Sequence, residues 1–472
     1  MVQAVVALAG ALTACSQTPV VKMPELPTAT AYREMGPWVT AQPADQLPRG
    51  AWWTLYQSPE LNALELRLNA NSPDLTAALA RYQQGKALTD QIRSAQYPTV
   101  ALGANSQRDL QSTHRPLRVL GPLSPNEYGQ DTLGLDVEYE FDLWGRVRNL
   151  VAAGLANDLA AQADLESARL SLQTQLADSY FALRGVDQDL ALLTQTQSAY
   201  AKALALTQRR HDAGISSGLD VARAQTQLES VRSQAQQAAV QRALLEHAIA
   251  ALIGESASDF HLAASTAPTA TPLLGVGLPS GLLQRRPDIA AAQRRVQAAN
   301  ASIGVAKAAY FPQITLSALL GYQSNTLANV VQAPNTYWSI GPSLFISLFD
   351  AGRREAEVNR VKAVLDEASA KYRSTVLNAF GQVEDGLAQL QHFGDARQSE
   401  SAAEAAAKRS LDMSHARYER GAASYLEVVA SQEAHLQAQR SVLDLSTKQL
   451  RASVQLVKAL GGGWAEGEAP GP

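Results

Sequence analysis

The sequence predicts a mixed fold, in which long α-helices are combined with membrane-crossing β-strands and one structural unit occurs twice. Landmark residues recur at fixed distances: Pro73-Asp74-Leu75 returns as Pro287-Asp288-Ile289 after 214 residues, and Gly145, Gly214 and Gly254 return as Gly352, Gly421 and Gly461 after 207 residues. Each half also has two segments of alternating polarity and one long stretch without proline. So long a period with two copies indicates a duplicated domain rather than a short-repeat solenoid.

Composition excludes several classes of protein. The 472-residue chain is 46% hydrophobic and 18% charged, with a net charge of −4, and it has no basic stripe of the kind that binds nucleic acid. Its single cysteine, Cys15, rules out a disulfide framework. No run of eighteen apolar residues predicts a membrane-spanning helix.

The first 14 residues are predicted to be a signal peptide. The apolar core Ala4–Leu12 is followed by Thr13-Ala14-Cys15, which resembles a bacterial lipoprotein signal. On this interpretation Cys15 carries lipid that includes palmitate, and this lipid anchors the mature chain. The alternative is an ordinary signal peptide with an incidental cysteine, and no Lys or Arg precedes the apolar core as such signals usually require.

The first copy is predicted over residues 59–254, after an extended N-terminal segment at 15–58. A helical pattern runs from Pro59 to about Gln96 and ends at Pro98. Alternating apolar residues then predict a β-hairpin over 97–142. A long helix at 146–212, a tip at 213–217 and a helix at 218–253 complete the copy.

The second copy is predicted over residues 279–463, after an equatorial linker at 255–278. It should contain a helix, a β-hairpin at 310–350, a long helix at 353–419, a tip at 420–424 and a helix at 425–460. Residues 464–472 form a tail. Each long helix has 67 residues, enough for a rod of about 100 Å. The long helix of the first copy has a coiled-coil seam of apolar residues: Leu176, Leu183, Leu190 and Leu204, with Val186, Leu193 and Tyr200 beside them.

The four predicted strands are too few to close a barrel by themselves. Strands of about ten residues are long enough to cross a bilayer when tilted. Open strand edges are not tolerated in lipid, so several chains must share one barrel.

Four motifs in order resemble the TolC-like outer-membrane efflux protein family, and most closely its lipoprotein branch that serves resistance-nodulation-division (RND) pumps. The motifs are Trp52-Trp53 with Leu55-Tyr56; Leu278-Pro279-Ser280 running to Arg285-Arg286-Pro287-Asp288-Ile289; Ala309-Tyr310-Phe311-Pro312 with Leu316-Ser317; and Lys458-Ala459-Leu460-Gly461-Gly462-Gly463-Trp464. The resemblance implies a homotrimer with a twelve-stranded barrel in the outer membrane and a coiled-coil tunnel in the periplasm. It also implies two protein partners, a periplasmic adaptor and an inner-membrane pump.

Nothing in the sequence predicts an enzyme or a cofactor. The seven histidines are scattered without metal-ligand spacing, and no phosphate-binding loop or nucleophile elbow occurs. We expect function to depend on charge in a lumen. Asp136, Glu138, Glu140 and Asp142 lie opposite an apolar strand face, and carboxylates that face a pore favour cations. The alternative is that these acids only keep the lumen wet.

The family resemblance also implies a gate at the helix tips. Asp220 and Glu427 match acids that form a constriction in TolC-like channels, and Tyr418 matches a tyrosine that holds the closed tip together. Two positions depart from the family pattern: Ala430 replaces a second acid, and Ala423 replaces a latch arginine, for which Arg417 or Arg420 could substitute. The alternative for Asp220 and Glu427 is simple helix capping.

The turns around Gly214 and Gly421 are expected to receive the adaptor, since glycine suits a sharp reversal at a helix end. The sequence therefore predicts a passive, trimeric exit duct, lipid-anchored in the outer membrane, for an RND-type small-molecule efflux system. Two alternatives remain open: the outer-membrane duct of a type I protein secretion system, and a periplasmic coiled-coil lipoprotein without a pore. The lipoprotein signal and the ending Gly461-Gly462-Gly463-Trp464 argue against the first. The alternating strands argue against the second.

Overall fold

A computed structural model of the chain describes residues 19–20, 31–32, 35–37, 50–112, 114, 126–272 and 286–462, with the backbone alone at 31–32 and 35–37. The predicted signal peptide at 1–14, Cys15 and the tail at 464–472 lie outside these residues. The Leu278-Pro279-Ser280 motif and Trp464 also lie outside them.

The described chain combines long helices with a few strands, as the sequence predicts. In chain order the strands and α-helices are β1 (Ala31–Tyr32), β2 (Met35–Pro37), α1 (Pro59–Asn71), α2 (Pro73–Ser94), β3 (Thr99–Leu110), β4 (Glu127–Glu140), α3 (Arg146–Asp212), α4 (Gly218–Leu252), α5 (Pro287–Ala308), β5 (Gln313–Ser324), β6 (Thr336–Phe345), α6 (Arg353–Glu419) and α7 (Tyr425–Ala459). A 3₁₀ helix, Trp52–Tyr56, precedes α1. None of the described helices is long and apolar enough to cross a membrane.

Three helices of the first half have the same lengths as their counterparts in the second half. Helices α2 and α5 have 22 residues each, α3 and α6 have 67, and α4 and α7 have 35. The prediction of a single helix over 59–96 is wrong, because the structure has two helices there, separated at Ser72. Proline lacks an N–H and its ring clashes with the carbonyl four residues earlier, so Pro73 ends α1 and begins α2.

The four long strands form one antiparallel sheet in the order β3-β4-β5-β6. Both hairpins are shorter than the predicted ranges of 97–142 and 310–350. The strands span 99–110 and 127–140 in the first hairpin and 313–324 and 336–345 in the second. The register aligns Leu102 with Leu135, Leu135 with Leu320, and Leu320 with Trp338 on one face. These four side chains are between 43% and 71% exposed in the single chain, so this apolar face needs a nonaqueous environment.

The chain divides into two compact units. The first, here called the sheet unit, comprises Met1–Glu25, Gln83–Ala161 and Ala292–Tyr372. The second, called the helix unit, comprises Leu26–Tyr82, Gln162–Ala291 and Arg373–Pro472.

The core of the helix unit is built on the aromatic motif before α1. Trp52 is 1% exposed, and its ring lies edge-on to Tyr56 with centroids 6.3 Å apart. Tyr56 in turn packs against Phe181 of α3 and shares a 2.8 Å hydrogen bond with Ser453 of α7. The motif therefore anchors the N-terminal segment to helices from both copies. The predicted seam of α3 contributes to the same unit, with Leu176, Leu183, Leu193 and Tyr200 buried.

A buried ion network fixes the described part of the linker. The Asp187 carboxylate accepts from Arg184 at 2.6 Å, from Arg242 at 2.7 Å and from the Ser265 N–H at 3.1 Å. Arg184 and Arg242 also donate to the carbonyl oxygens of Ala263 and Leu262. These contacts fall near the middle of α3, so the linker is fastened at that level of the helix unit.

Candidate functional site

Both helix tips of the helix unit are closed by glycine turns of the same geometry. Gly214 and Gly421 each have φ of +72°, a left-handed conformation that glycine adopts without a Cβ penalty. The N–H of Ile215 donates to the Arg210 carbonyl at 2.8 Å, and the N–H of Ala422 donates to the Arg417 carbonyl at 2.8 Å. This is the hydrogen-bond pattern of a Schellman C-cap. The predicted tip glycines therefore end α3 and α6.

Asp220 belongs to a reciprocal capping box at the start of α4. Its N–H donates to the Ser217 Oγ at 3.2 Å, while its carboxylate accepts from the Ser217 N–H at 3.3 Å. The carboxylate also lies 3.8 Å from the Arg223 guanidinium, and its side chain is 22% exposed. In the single chain, Asp220 is thus engaged within its own copy.

Glu427 has the matching position at the start of α7. The Ser424 N–H donates to its Oε1 at 3.3 Å, and the Arg417 guanidinium lies 3.3 Å from its Oε2. Arg417 also donates to the Ala422 carbonyl oxygen at 3.1 Å. The capping interpretation of both acids therefore holds in this chain, and Arg417 serves its own tip.

Tyr418 lies where the two copies meet. Its ring packs against Tyr425 with centroids 5.4 Å apart, and its hydroxyl is 3.5 Å from the Ser216 Oγ of the other copy. Tyr425 is buried with Val428 and Ala224, and Leu204 packs against them. Burial raises the pKa of the Tyr425 phenol, because the phenolate would lose its hydration there.

Two of the predicted lumen acids lie on the polar face of the sheet unit. Asp136 and Glu138 are exposed on β4, where Asp136 aligns with Ala101 and Leu319, and Glu138 aligns with Thr99 and Ser317. Neither forms an ion pair with another described residue. Asp136 and Glu138 thus contribute negative charge to this face, and the register places Asp109 of β3 on the same face.

Glu140 and Asp142, the other two predicted lumen acids, have partners within the chain. Glu140 accepts two hydrogen bonds from Arg146, at 2.7 and 2.5 Å. Asp142 lies beyond the end of β4 and accepts from the backbone N–H groups of Val147 at 3.0 Å and Arg148 at 2.7 Å. A carboxylate there satisfies helix-start N–H groups and suits the helix dipole. Glu140 and Asp142 are therefore engaged within the chain, and a pore-facing position for the four acids stays a prediction.

The contact between Arg210 and Tyr418 at the tips was not predicted from the sequence. The Arg210 guanidinium stacks over the Tyr418 ring, 4.7 Å from its centroid. Arg210 lies 208 residues before Tyr418 and is adjacent to Arg209, and only the fold decides which of the two reaches the other copy. Neighbouring His211 bonds the Ser216 carbonyl oxygen of its own tip at 2.9 Å. Within the described residues, no group of His, Cys, Asp or Glu side chains is arranged to hold a metal ion.

Comparison with known proteins agrees with this architecture. The family model described as "Outer membrane efflux protein" matches residues 66–255 and 278–462. The solvent efflux pump outer membrane protein SrpC of Pseudomonas putida is 32% identical over 447 residues, covering 93% of this chain and 92% of that protein. The pyoverdine export outer membrane protein OpmQ of Pseudomonas aeruginosa is 32% identical over 463 residues, covering 96% and 95%. The outer-membrane channel OprN superposes with a TM-score of 0.84 at 28% identity, covering 95% of this chain and 100% of that one.

Proposed function

Because this chain belongs to the outer membrane efflux protein family, we propose that it works as the outer-membrane channel of an efflux pump. It forms a passive homotrimeric duct that consumes no energy and catalyses no reaction. An inner-membrane pump of the RND type drives the substrate, and a periplasmic adaptor opens the helix tips.

The two-faced sheet is the observation that carries this proposal. One chain supplies four antiparallel strands, and the terminal strands β3 and β6 each have one partner among the described strands. A strand edge in lipid leaves N–H and C=O groups unsatisfied, at several kcal/mol for each group. Three chains joined edge to edge would remove every edge and give a closed barrel of twelve strands.

The apolar face of that barrel would meet the lipid, and the face of Asp136 and Glu138 would line the lumen. Asp136 and Glu138 of three chains would then contribute six carboxylates, which favour the passage of cations over anions. Trp144 supports a membrane–water interface at the end of β4. Its ring stacks on Phe311 with centroids 4.8 Å apart, and its indole N–H donates to the Pro312 carbonyl at 2.7 Å. Aromatic girdles of outer-membrane barrels sit at such interfaces.

The matched helix lengths support a duplicated chain. Two copies per chain give a trimer six similar hairpin tips, each closed by a glycine turn at Gly214 or Gly421. We assign these tips to adaptor contact, since the small residues around them, Ala213, Ala422 and Ala423, leave room for a partner helix. Lipidation at Cys15 would add an anchor among outer-membrane lipids.

The gate is assigned to Asp220, Glu427 and Tyr418. The side chains of Asp220 and Glu427 stay 22% and 46% exposed in the single chain while they cap a helix, so both roles are compatible. Six such acids around the trimer axis would narrow the opening and attract cations. An adaptor that binds the open form about 5.5 kcal/mol better than the closed form would reverse a 99:1 preference for closure.

The test is the single-channel conductance of the trimer in a planar bilayer. We compare the unmodified protein with Asp220→Ala plus Glu427→Ala. The matched control, Glu229→Ala plus Asp412→Ala, removes two exposed acids that pair with residues of their own helices. We expect a small, cation-selective conductance that rises sharply in the tip variant and stays unchanged in the control. An equal rise in both variants would refute the gate, and no conductance from folded trimers of any of the three would refute the channel.

A further inference from the structure

Charged contacts at the two tips mostly stay within one copy. Asp220 is engaged by Ser217 and Arg223, which belong to the first copy. Glu427 is engaged by Ser424 and Arg417, which belong to the second. Neither acid therefore ties the first tip to the second within the chain, and another group must do so.

At the tips, within the described residues, Arg210 is a cation that reaches the other copy. It lies in the last turn of α3, yet its guanidinium sits 4.7 Å from the ring centroid of Tyr418 in α6. Its Nη2 donates to the Glu419 carbonyl oxygen at 3.4 Å. Glu419 is the last residue of α6, where backbone carbonyls lack helical partners and the helix dipole is negative. One guanidinium therefore meets both an aromatic face and a helix C-terminus.

The ring beneath Arg210 is held in place by its neighbours. Tyr418 leans on Tyr425, whose side chain is 4% exposed and packs with Val428 and Ala224. The Tyr425 phenol also lies close enough to Thr207 of α3 for that side chain to influence its pKa. Because Thr207 and Arg210 are three residues apart on one helix, they lie on the same side and engage two adjacent rings.

We propose that Arg210 is a positioning residue that sets the separation of the two tips within each protomer and thereby holds the channel closed. The inference rests on the proposed function and deepens it. Separating the tips removes the guanidinium from the Tyr418 ring and from the Glu419 carbonyl together. The acids keep their capping contacts during this movement, because those contacts travel with their own copies.

Arg209 provides a matched control for the test. It carries the same charge one residue earlier, but its Nε donates to the Ala205 carbonyl of its own helix at 3.3 Å. We compare single-channel conductance of folded trimers of Arg210→Gln, Arg209→Gln and the unmodified protein. Arg210→Gln is expected to raise the conductance several-fold, and Arg209→Gln to leave it unchanged. Equal conductance in the two variants would overturn the proposal.

A second comparison separates stacking from general loosening of the tip. Tyr418→Leu removes the aromatic face, whereas Tyr418→Phe keeps it and loses only the hydroxyl. We expect Tyr418→Leu to raise the conductance and Tyr418→Phe to raise it less. The double variant Arg210→Gln plus Tyr418→Leu should raise it by less than the sum of the two single effects. Full additivity would contradict a shared contact.

The outcomes distinguish this inference from the function on which it rests. Conductance that rises on removal of Asp220 and Glu427 but not on removal of Arg210 would refute the inference and leave the gate standing. Silence of every folded trimer would instead refute the channel. Circular dichroism and migration as trimers in unheated gels establish folding for each variant.

Discussion

The middle and the tips of the helix unit are built from the same helices but are stabilised in different ways. In the middle, Trp52, Phe181 and Ile249 are each less than 2% exposed, and Asp187 is surrounded by arginines that also fasten the linker. At the tips, Ile215, Leu219 and Leu426 are between 50% and 73% exposed. A large core is replaced there by one small aromatic cluster. The contrast suggests a rigid centre and tips that can change neighbours at low cost.

This difference has an energetic meaning. Segments with few buried apolar contacts open at a small fraction of the global unfolding free energy, whereas a core opens only when the whole unit unfolds. Tip opening can therefore occur while the centre keeps its packing. Substitutions in the middle should change the stability of the unit, and substitutions at the tips should change local opening.

The largest expected effect is in the middle, from Asp187→Ala. The substitution leaves Arg184 and Arg242, which are 6% and 15% exposed, without their shared carboxylate. Breaking a buried pair by removing one partner costs about 3–5 kcal/mol of unfolding free energy. Urea denaturation followed by circular dichroism measures this loss. The control is Asp412→Ala, which removes an exposed partner of Lys408 and should have little effect. Similar losses in both variants would break the comparison.

A smaller effect of opposite sign is expected at Glu65 in α1. Glu65 occupies a core position between Leu61, Leu64 and Leu68 and is 0% exposed. Neither of its carboxylate oxygens has a hydrogen-bond partner among the described residues. Burial raises its pKa well above the ordinary value, so the folded protein holds the carboxyl neutral. An unpartnered buried polar group costs about 1–3 kcal/mol. Glu65→Leu should therefore stabilise the protein.

The same residue predicts a pH dependence. Below the ordinary glutamate pKa of about 4.3, the carboxyl is neutral in both the folded and unfolded states. Above it the unfolded chain releases the proton while the folded chain retains it, so stability falls as the pH rises toward the raised folded pKa. Thermal melts should show the gap between Glu65→Leu and the unmodified protein widening from pH 4.5 to pH 7.5. Glu65→Gln, which cannot ionise, should lack this slope, and a gap that does not change with pH would contradict the assignment.

Sequence reasoning captured periodic features of this fold and missed pairings between distant residues. Alternation in β4 places Leu133, Leu135 and Val137 on one face because a strand has a period of two. The 207-residue offset between Gly214 and Gly421 likewise identifies both turns. Neither signal required knowledge of neighbours in space.

The missed features depend on partners. Pro73 was visible as a helix breaker, yet the helical pattern on both sides hid the break at Ser72. The pairing of Glu140 with Arg146 could have been predicted, because the two residues are only six positions apart in the sequence, on either side of a strand end. The contact of Arg210 with Tyr418 was not, since Arg209 has the same local sequence context. Charge and spacing identify Arg209 and Arg210 as candidates, whereas the orientation of each side chain on α3 decides that Arg210 contacts Tyr418.

The smallest expected effect sharpens the comparison at a tip, where Ser217→Ala removes half of the capping box of α4. Loss of an N-cap side chain costs about 1 kcal/mol, and the affected N–H groups lie in the first turn, including that of Asp220. Amide hydrogen exchange should become roughly fivefold faster there, with the urea midpoint unchanged. Ser230→Ala is the control, because the Ser230 Oγ only accepts from the Gln234 side chain on the exposed surface of the same helix. If faster exchange spread to α3 near Asp187, the tips and the centre would form one cooperative unit, and opening the channel would require loosening the core.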